Sequence, residues 1–443
     1  MFSGNSLGLY LSSLSALGLR GQSGSATQGQ GGERAYVNAF TGNLVLQRAD
    51  VLLAGRGPDA AALRTYNSQG GYDFDGNADG WQGAPTRAIE DLGGGKLRRH
   101  DADGSFCDYP WDATRQAYLA SVTAGSARDA IVVNADGTYT WTDGASGGRE
   151  TYQAGSFGRI LTSVDASGNA LTYGYDASNL LTRISSASGE SITFTYGGPS
   201  GRNLLEVRTV LSIDGALTVL DVSYGYDALN RLESVSVVLN PRSLAAVAAG
   251  ETGTVFKTTY AYDGTSNRVA GLTQGDGTTL SFTYVLLDGL YKVASVTDGE
   301  GKVTQFAYDA AAGRTTVTDP LGVATVYQHD AKGQLTQVRS GVTAGNPAGR
   351  TRLDYAYTAL GDVASIVDGL GRTVAMTYDA SGNLLRQVDA AGNTLERTYD
   401  ARNQLLTESA HAGAGATQPL TTRYVRDAAQ RGLLRFVLSA EGG

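Results

Sequence analysis

The stretch Tyr378-Asp379-Ala380-Ser381-Gly382-Asn383-Leu384-Leu385-Arg386-Gln387-Val388-Asp389-Ala390-Ala391-Gly392-Asn393-Thr394-Leu395-Glu396-Arg397-Thr398-Tyr399 holds two corners and two short strands. Asp379 to Gly382 is a D-x-x-G tetrapeptide, and Asp389 to Gly392 is another. Asp favours the first position of a type I turn and Gly the fourth. Leu384 to Val388 reads as a strand and Thr394 to Tyr399 as its return. The chain reverses at each corner, so the segment specifies a β-hairpin followed by the start of the next one.

The pattern extends outward in both directions. Tyrosine precedes aspartate at Tyr175-Asp176, Tyr226-Asp227, Tyr262-Asp263, Tyr308-Asp309, Tyr378-Asp379 and Tyr399-Asp400, with His329-Asp330 and Tyr357-Thr358 as variants. By subtraction, the steps 357 to 378 and 378 to 399 are both 21 residues, as is 308 to 329. A fixed period of this size marks a stacked array of supersecondary units. The fourth position after the tyrosine (or its variant) is Asn179, Asn230, Gly333, Gly361, Gly382 or Asn403. Gly and Asn are the residues that enter the left-handed region most readily, so each is expected at positive φ. Two residues later comes an aliphatic (Leu181, Leu232, Leu335, Val363, Leu384, Leu405), the face expected to be buried. A second aliphatic follows three residues on, at Ile184, Val235, Val338 and Ile366, which breaks strict alternation. Either a β-bulge re-aims it or both faces are partly covered.

Composition agrees. The 443 residues include 60 Gly and 24 Tyr but only 8 Pro, 3 His and 2 Met. Such a mixture suits short strands and tight turns. Apolar residues make up 41% of the chain, too many for disorder. The net charge of −8 leaves no basic stripe, which argues against nucleic acid as a partner. No apolar run is long enough to span a membrane as a helix. Cys107 is the single cysteine, so no intrachain disulfide forms.

Three regions are expected. Residues 1–32 read as a flexible Gly/Ser-rich segment without the basic start of a Sec signal. Residues 33–154 read as a β-rich entry region, opening with a hairpin through Thr41-Gly42-Asn43. Residues 155–443 form the array, an all-β spiral of antiparallel hairpin repeats. Pro241 to Ala249 is the best helix candidate, as a loop insertion. Ser439 to Gly442 falls where another corner belongs, so the array is expected to be truncated or its edge covered by a partner.

The Y-x-Y-D-x-x-[GN]-x-L and D-x-x-G alternation resembles the YD repeats of the Rhs family, which includes bacterial polymorphic toxins, toxin-complex shell subunits and animal teneurins. Val37-Asn38, Thr41-Gly42-Asn43-Leu44, Gly55-Arg56-Gly57, Leu63 to Ser68 and Asp79-Gly80-Trp81 are similar to the family's entry region. The resemblance implies a hollow β-shell around a C-terminal effector, secreted or at the cell surface by a non-Sec or upstream signal. Expected partners are that effector or the remaining shell segments. Asp319-Pro320-Leu321-Gly322 matches only four residues of the self-cleavage motif that closes many such shells, and it lies in register as an ordinary corner. The rival reading is a cell-surface module that binds glycans through tyrosine pairs that share one face of their strands, Tyr173/Tyr175, Tyr224/Tyr226, Tyr260/Tyr262 and Tyr355/Tyr357.

Residues that could carry chemistry are few. Gly144-Ala145-Ser146-Gly147-Gly148 fits G-x-S-x-G, but strand rather than helix is expected on both sides, which does not make a nucleophile elbow. Asp75, Asn77 and Asp79 match half a calcium loop, with Asp73 adjacent, but Thr86 stands where the bidentate Glu belongs. An acidic turn is the competing reading. His100, His329 and His411 are too dispersed for a cluster, and His329, in a tyrosine position, is expected to pack. No cofactor and no catalytic residue is expected.

Overall fold

A computed structural model describes residues 13–17, 33–53, 57–70, 73–83, 87–120, 129–144, 146–187, 189–213, 216–401, 403–413, 418–427 and 433–439. Apart from 13–17, the segment read as flexible lies outside the described residues, as does most of the Ser439–Gly442 corner. The fold is all-β, with short antiparallel strands and a single short helix, Leu244–Ala248, among the described residues. That helix sits inside the Pro241–Ala249 candidate, and the Ser243 hydroxyl caps it by accepting from the Ala246 N–H at 3.1 Å.

Three units follow along the chain. The first is a five-stranded sheet of β1 (Ser13–Leu17), β2 (Arg34–Asn38), β3 (Leu44–Leu53), β4 (Ala60–Asn67) and β5 (Trp81–Gln82). The second comprises β6 (Ala88–Asp91), β7 (Lys96–His100), β8 (Phe106–Asp112), β9 (Ala117–Leu119), β10 (Ala130–Val133), β11 (Tyr139–Thr142), β12 (Arg149–Tyr152) and β13 (Phe157–Val164). Each pairs with the next, and β13 pairs back to β6, so these strands close into a barrel. Its filling is Ile89, Leu97, Cys107, Tyr109, Ile131, Tyr152 and Ile160, all buried.

The third unit begins on the same β13. Phe157 to Arg159 pair with β6, whereas Thr162 to Val164 pair with the next strand, Ala170–Tyr175. From there hairpin follows hairpin to Leu433–Leu438. The array winds far enough for the corner at Asn403 to return to the barrel, where the Asn403 amide donates to the Gly144 carbonyl at 2.7 Å.

The five-stranded sheet lies against one face of the array. Ala35, Val37, Leu44, Leu46, Tyr66 and Trp81 share a single core with Leu181, Ile184, Leu204, Val235, Leu272 and Phe282. Fully burying one such aliphatic side chain stabilises by roughly 1.5–3 kcal/mol. The contacts run as far as His329, whose ring meets Phe40 at 5.2 Å. Beyond that point cover runs out. Leu181, Leu232 and Leu335 are buried, whereas Val363, Leu384 and Leu405 are only half-buried.

Candidate functional site

The working parts of this molecule are its corners and the tyrosines beside them. At these D-x-x-[GN] corners, and at the Thr358 variant closed by Gly361, the closing residue is left-handed: Asn179, Asn230 and Asn403 at φ 61, 65 and 59°, and Gly333, Gly361 and Gly382 at 76, 83 and 87°. The corner at 379 shows the wiring. Gly382 N–H donates to the Asp379 carbonyl at 3.2 Å, and Asp379 N–H donates to the Asn383 carbonyl at 3.0 Å. The Asp379 carboxylate accepts from the backbone of Ser381 at 2.8 Å and Asn383 at 2.9 Å. Asp176, Asp227, Asp330 and Asp389 cap their corners in the same way, and Asp400 accepts from Gln404 N–H. This is a type I turn closed by a left-handed residue, one of the common hairpin connections.

The bulge alternative explains the irregular aliphatics. Tyr175 stands opposite Leu181 while Gly174 stands opposite Arg183, leaving Thr182 extra. The same shift occurs at Tyr226, Tyr262, His329, Tyr357, Tyr378 and Tyr399. One inserted residue returns the third position to the starting face. Leu181 with Ile184, and Leu232 with Val235, are thereby buried together.

What the sequence did not reveal is the use of the tyrosine hydroxyl. In hairpin after hairpin it donates backward to the carbonyl of an aliphatic residue in an earlier unit. Tyr175 reaches Ile160 at 2.8 Å, Tyr196 reaches Leu181 at 3.1 Å, and Tyr308 reaches Val293 at 2.8 Å. Tyr378 reaches Val363 at 3.0 Å and Tyr399 reaches Leu384 at 3.1 Å. Tyr226, Tyr262 and Tyr357 do the same to Leu204, Leu232 and Leu335. Burial pushes the phenols of Tyr175, Tyr196, Tyr226, Tyr262, Tyr308 and Tyr399 up, and that of Tyr357 to about 12, so these remain proton donors.

Two tyrosine pairs expected to share a face are covered by the N-terminal sheet, which excludes them as a glycan platform. Tyr224 donates to Asp50 at 2.8 Å and Tyr260 to Glu33 at 3.0 Å. Arg64 lies between them, fully buried, ion-paired to Asp50 at 3.0 Å and Glu33 at 3.1 Å, and hydrogen-bonded to Tyr260. Nearby, Trp81 Nε1 donates to the Tyr262 hydroxyl at 3.0 Å, and the Tyr66 hydroxyl bridges the Asn267 carbonyl and the Val269 N–H, both at 2.9 Å. The barrel carries a second ionic group. Arg99 pairs with Glu150 at 2.9 Å and Asp101 at 2.7 Å, and Arg87 also contacts Glu150. Burial raises the Glu150 carboxyl, but the Arg99 and Arg87 charges outweigh it and hold the group at about 2.

The remaining candidates are placed as follows. Asp73 accepts from the N–H groups of Gly76 (2.7 Å) and Ala78 (3.0 Å), and Asp79 from Trp81 N–H (2.7 Å). Asn77 caps Asp79 in turn at 3.1 Å. Burial raises Asp79 to about 7 and also raises Asp75. Among the described residues no group of three or more His, Cys, Asp or Glu is arranged to hold a metal ion. Ser146 lies in the turn between β11 and β12, its hydroxyl donating to Asp143 at 2.5 Å, so the G-x-S-x-G segment is a hairpin tip. His329 is buried against Phe40, and burial lowers it to about 4. No helix among the described residues is long and apolar enough to cross a membrane.

A family model described as RHS Repeat matches residues 156–191, 311–351 and 378–417. The chain carries RHS repeats. These segments contain the corners at Asp165, Asp319, Asp330, Asp379 and Asp400. No curated protein matches the chain. Among solved structures, the chain is similar to TcdB2-TccC3 without its hypervariable C-terminal region, at TM-score 0.46 and 11% identity over 91% of this chain and 26% of that one. It is also similar to TcdB2-TccC3-Cdc42, at TM-score 0.45 and 11% identity over 89% of this chain and 26% of that one. A Photorhabdus luminescens Tc holotoxin pore carrying a TccC3 mutation gives TM-score 0.45 and 11% identity, over 91% and 26%. The chain thus spans about a quarter of the length of the solved structures it matches.

Proposed function

We propose that this chain is a wall segment of an Rhs-type shell whose role is to enclose or present a C-terminal effector, outside the cell that makes it. The reading is structural and non-catalytic. It rests on one observation above all: an unbroken antiparallel sheet runs from β13 to Leu433–Leu438 and winds back to touch its own barrel at Gly144. A continuous hydrogen-bonded wall resists proteases and confines what it surrounds, because no strand opens without breaking its neighbours' bonds. In this reading residues 33–154 start the wall and cover one face, and residues 155–443 extend it.

The test is protection. The chain is expressed together with the polypeptide encoded after it, and that polypeptide is also expressed alone. Under limited proteolysis the downstream part survives in the joined protein and is degraded alone. Equal degradation rates would refute enclosure.

A further inference from the structure

Where the turn between β2 and β3 meets the array, the two leave a cavity of about 410 Å³. Its wall is formed by Phe40 and Thr41 from that turn and by Leu290, Lys292, Tyr308 and Arg314 from the array. A cavity of this size falls within the range of small-molecule sites.

Lys292 is the unusual member. It is only 9% exposed. Its stem is clamped under the turn: a Cβ added to Gly42 would lie 2.4 Å from the Lys292 Cβ, and Val293 N–H donates to the Gly42 carbonyl at 2.9 Å. Its Nζ lies 5.1 Å from the centre of the Tyr308 ring, on the cavity wall. Among the described residues the ammonium makes no hydrogen bond or ion pair; the charge nearest in effect is that of the exposed Asp288, acting through space. The other charged groups of the wall are engaged with each other, since Arg314 pairs with Asp309 at 2.7 Å. The Thr315 hydroxyl is given to the Ala39 carbonyl. The Lys292 stem is buried while its ammonium faces the cavity with no ion pair made among the described residues, so a carboxylate entering there would gain a charge-assisted hydrogen bond.

We propose that this cavity binds a carboxylate carried on a compact aromatic or aliphatic body, with its oxygens at Lys292 Nζ and its body between Phe40 and Tyr308. The Tyr308 hydroxyl is already donated to Val293, so the ring offers a face rather than a donor. The inference is independent of whether the wall encloses an effector.

Isothermal titration of the full chain with benzoate, 3-phenylpropanoate and uncharged benzamide tests it. Saturable binding of at least one acid is expected, with benzamide weaker by about tenfold or more. Lys292→Met keeps the stem and removes the charge, and should reproduce that loss for the acids, whereas Lys292→Arg should bind them. Benzamide binding as tightly as benzoate would overturn the proposal, as would acid binding undiminished in Lys292→Met, or no saturation by either acid. The comparison of acid with amide needs no variant, so a folding effect of Lys292→Met leaves the test intact.

Discussion

Replacing Gly382 with valine attacks one corner and leaves every other intact. Gly382 sits at φ 87°, where a side chain meets the carbonyl it should avoid. An ordinary L-residue forced into the left-handed region loses about 1–2 kcal/mol, and a β-branched one more. If the corner yields instead, the bond from Gly382 N–H to Asp379 and the two backbone bonds to the Asp379 carboxylate weaken. Each contributes roughly 0.5–1.5 kcal/mol, so Gly382→Val should lose about 2–4 kcal/mol locally. Asn occupies the equivalent place at 179, 230 and 403, so Gly382→Asn should lose no more than about 0.5 kcal/mol. Stacked units contact mainly their neighbours, so the loss should stay in the strands Thr373–Tyr378 and Leu384–Val388. Hydrogen exchange measures this directly, because 2 kcal/mol is a factor of about 30 in opening. Exchange in Gly382→Val equal to the parent, or Gly382→Asn as damaging as Gly382→Val, would refute the argument.

Tyr308→Phe keeps the ring and strands the Val293 carbonyl, so it should cost about 1–3 kcal/mol in denaturant unfolding; an unchanged midpoint would exclude the hydroxyl as a fastener. Arg64→Met leaves Glu33 buried without its cation and Asp50 with Arg48 alone, at 3.3 Å, and should lose about 3–5 kcal/mol, seen as faster exchange in Val269–Gln274 with Leu384–Val388 unaffected; the reverse pattern would count against the ionic group as the sheet's anchor. Asp79 is raised by burial to about 7, above an unfolded value of about 3.9, so the folded state holds the proton more tightly. Its contribution is complete below about pH 4 and declines as pH rises through 7. Asp79→Asn retains an acceptor for Trp81 N–H, so its Tm relative to the parent should climb between pH 4 and 8; a difference constant with pH would contradict the assignment.

The corners were legible because everything they need lies within five residues. Asp379 supplies the acceptor, Gly382 the backbone freedom, and Leu384 the buried side chain. The i, i+3 aliphatics were legible as an irregularity but not as a bulge, since the extra residue is defined only against a paired strand. The tyrosine hydroxyls were opaque for a different reason. Their acceptors are backbone carbonyls, which every residue possesses, set 15, 22 or 30 residues back according to the intervening loop. The ionic groups were hidden by distance, since Arg64 and Tyr260 are 196 residues apart. Nothing local in the 33–154 region distinguished a sheet that lies on the array from a barrel that begins it, because both are built from the same short strands.

The backward reach of the tyrosines gives assembly a direction. A hairpin leaving the ribosome can close its own turn at once, but a carbonyl beside its bulge stays unclaimed until the following ring arrives. Ile160 waits for Tyr175, Leu181 for Tyr196, Val363 for Tyr378 and Leu384 for Tyr399. Each unit therefore stays one hydrogen bond short until the unit after it is in place, like a zipper whose teeth engage only behind the slider.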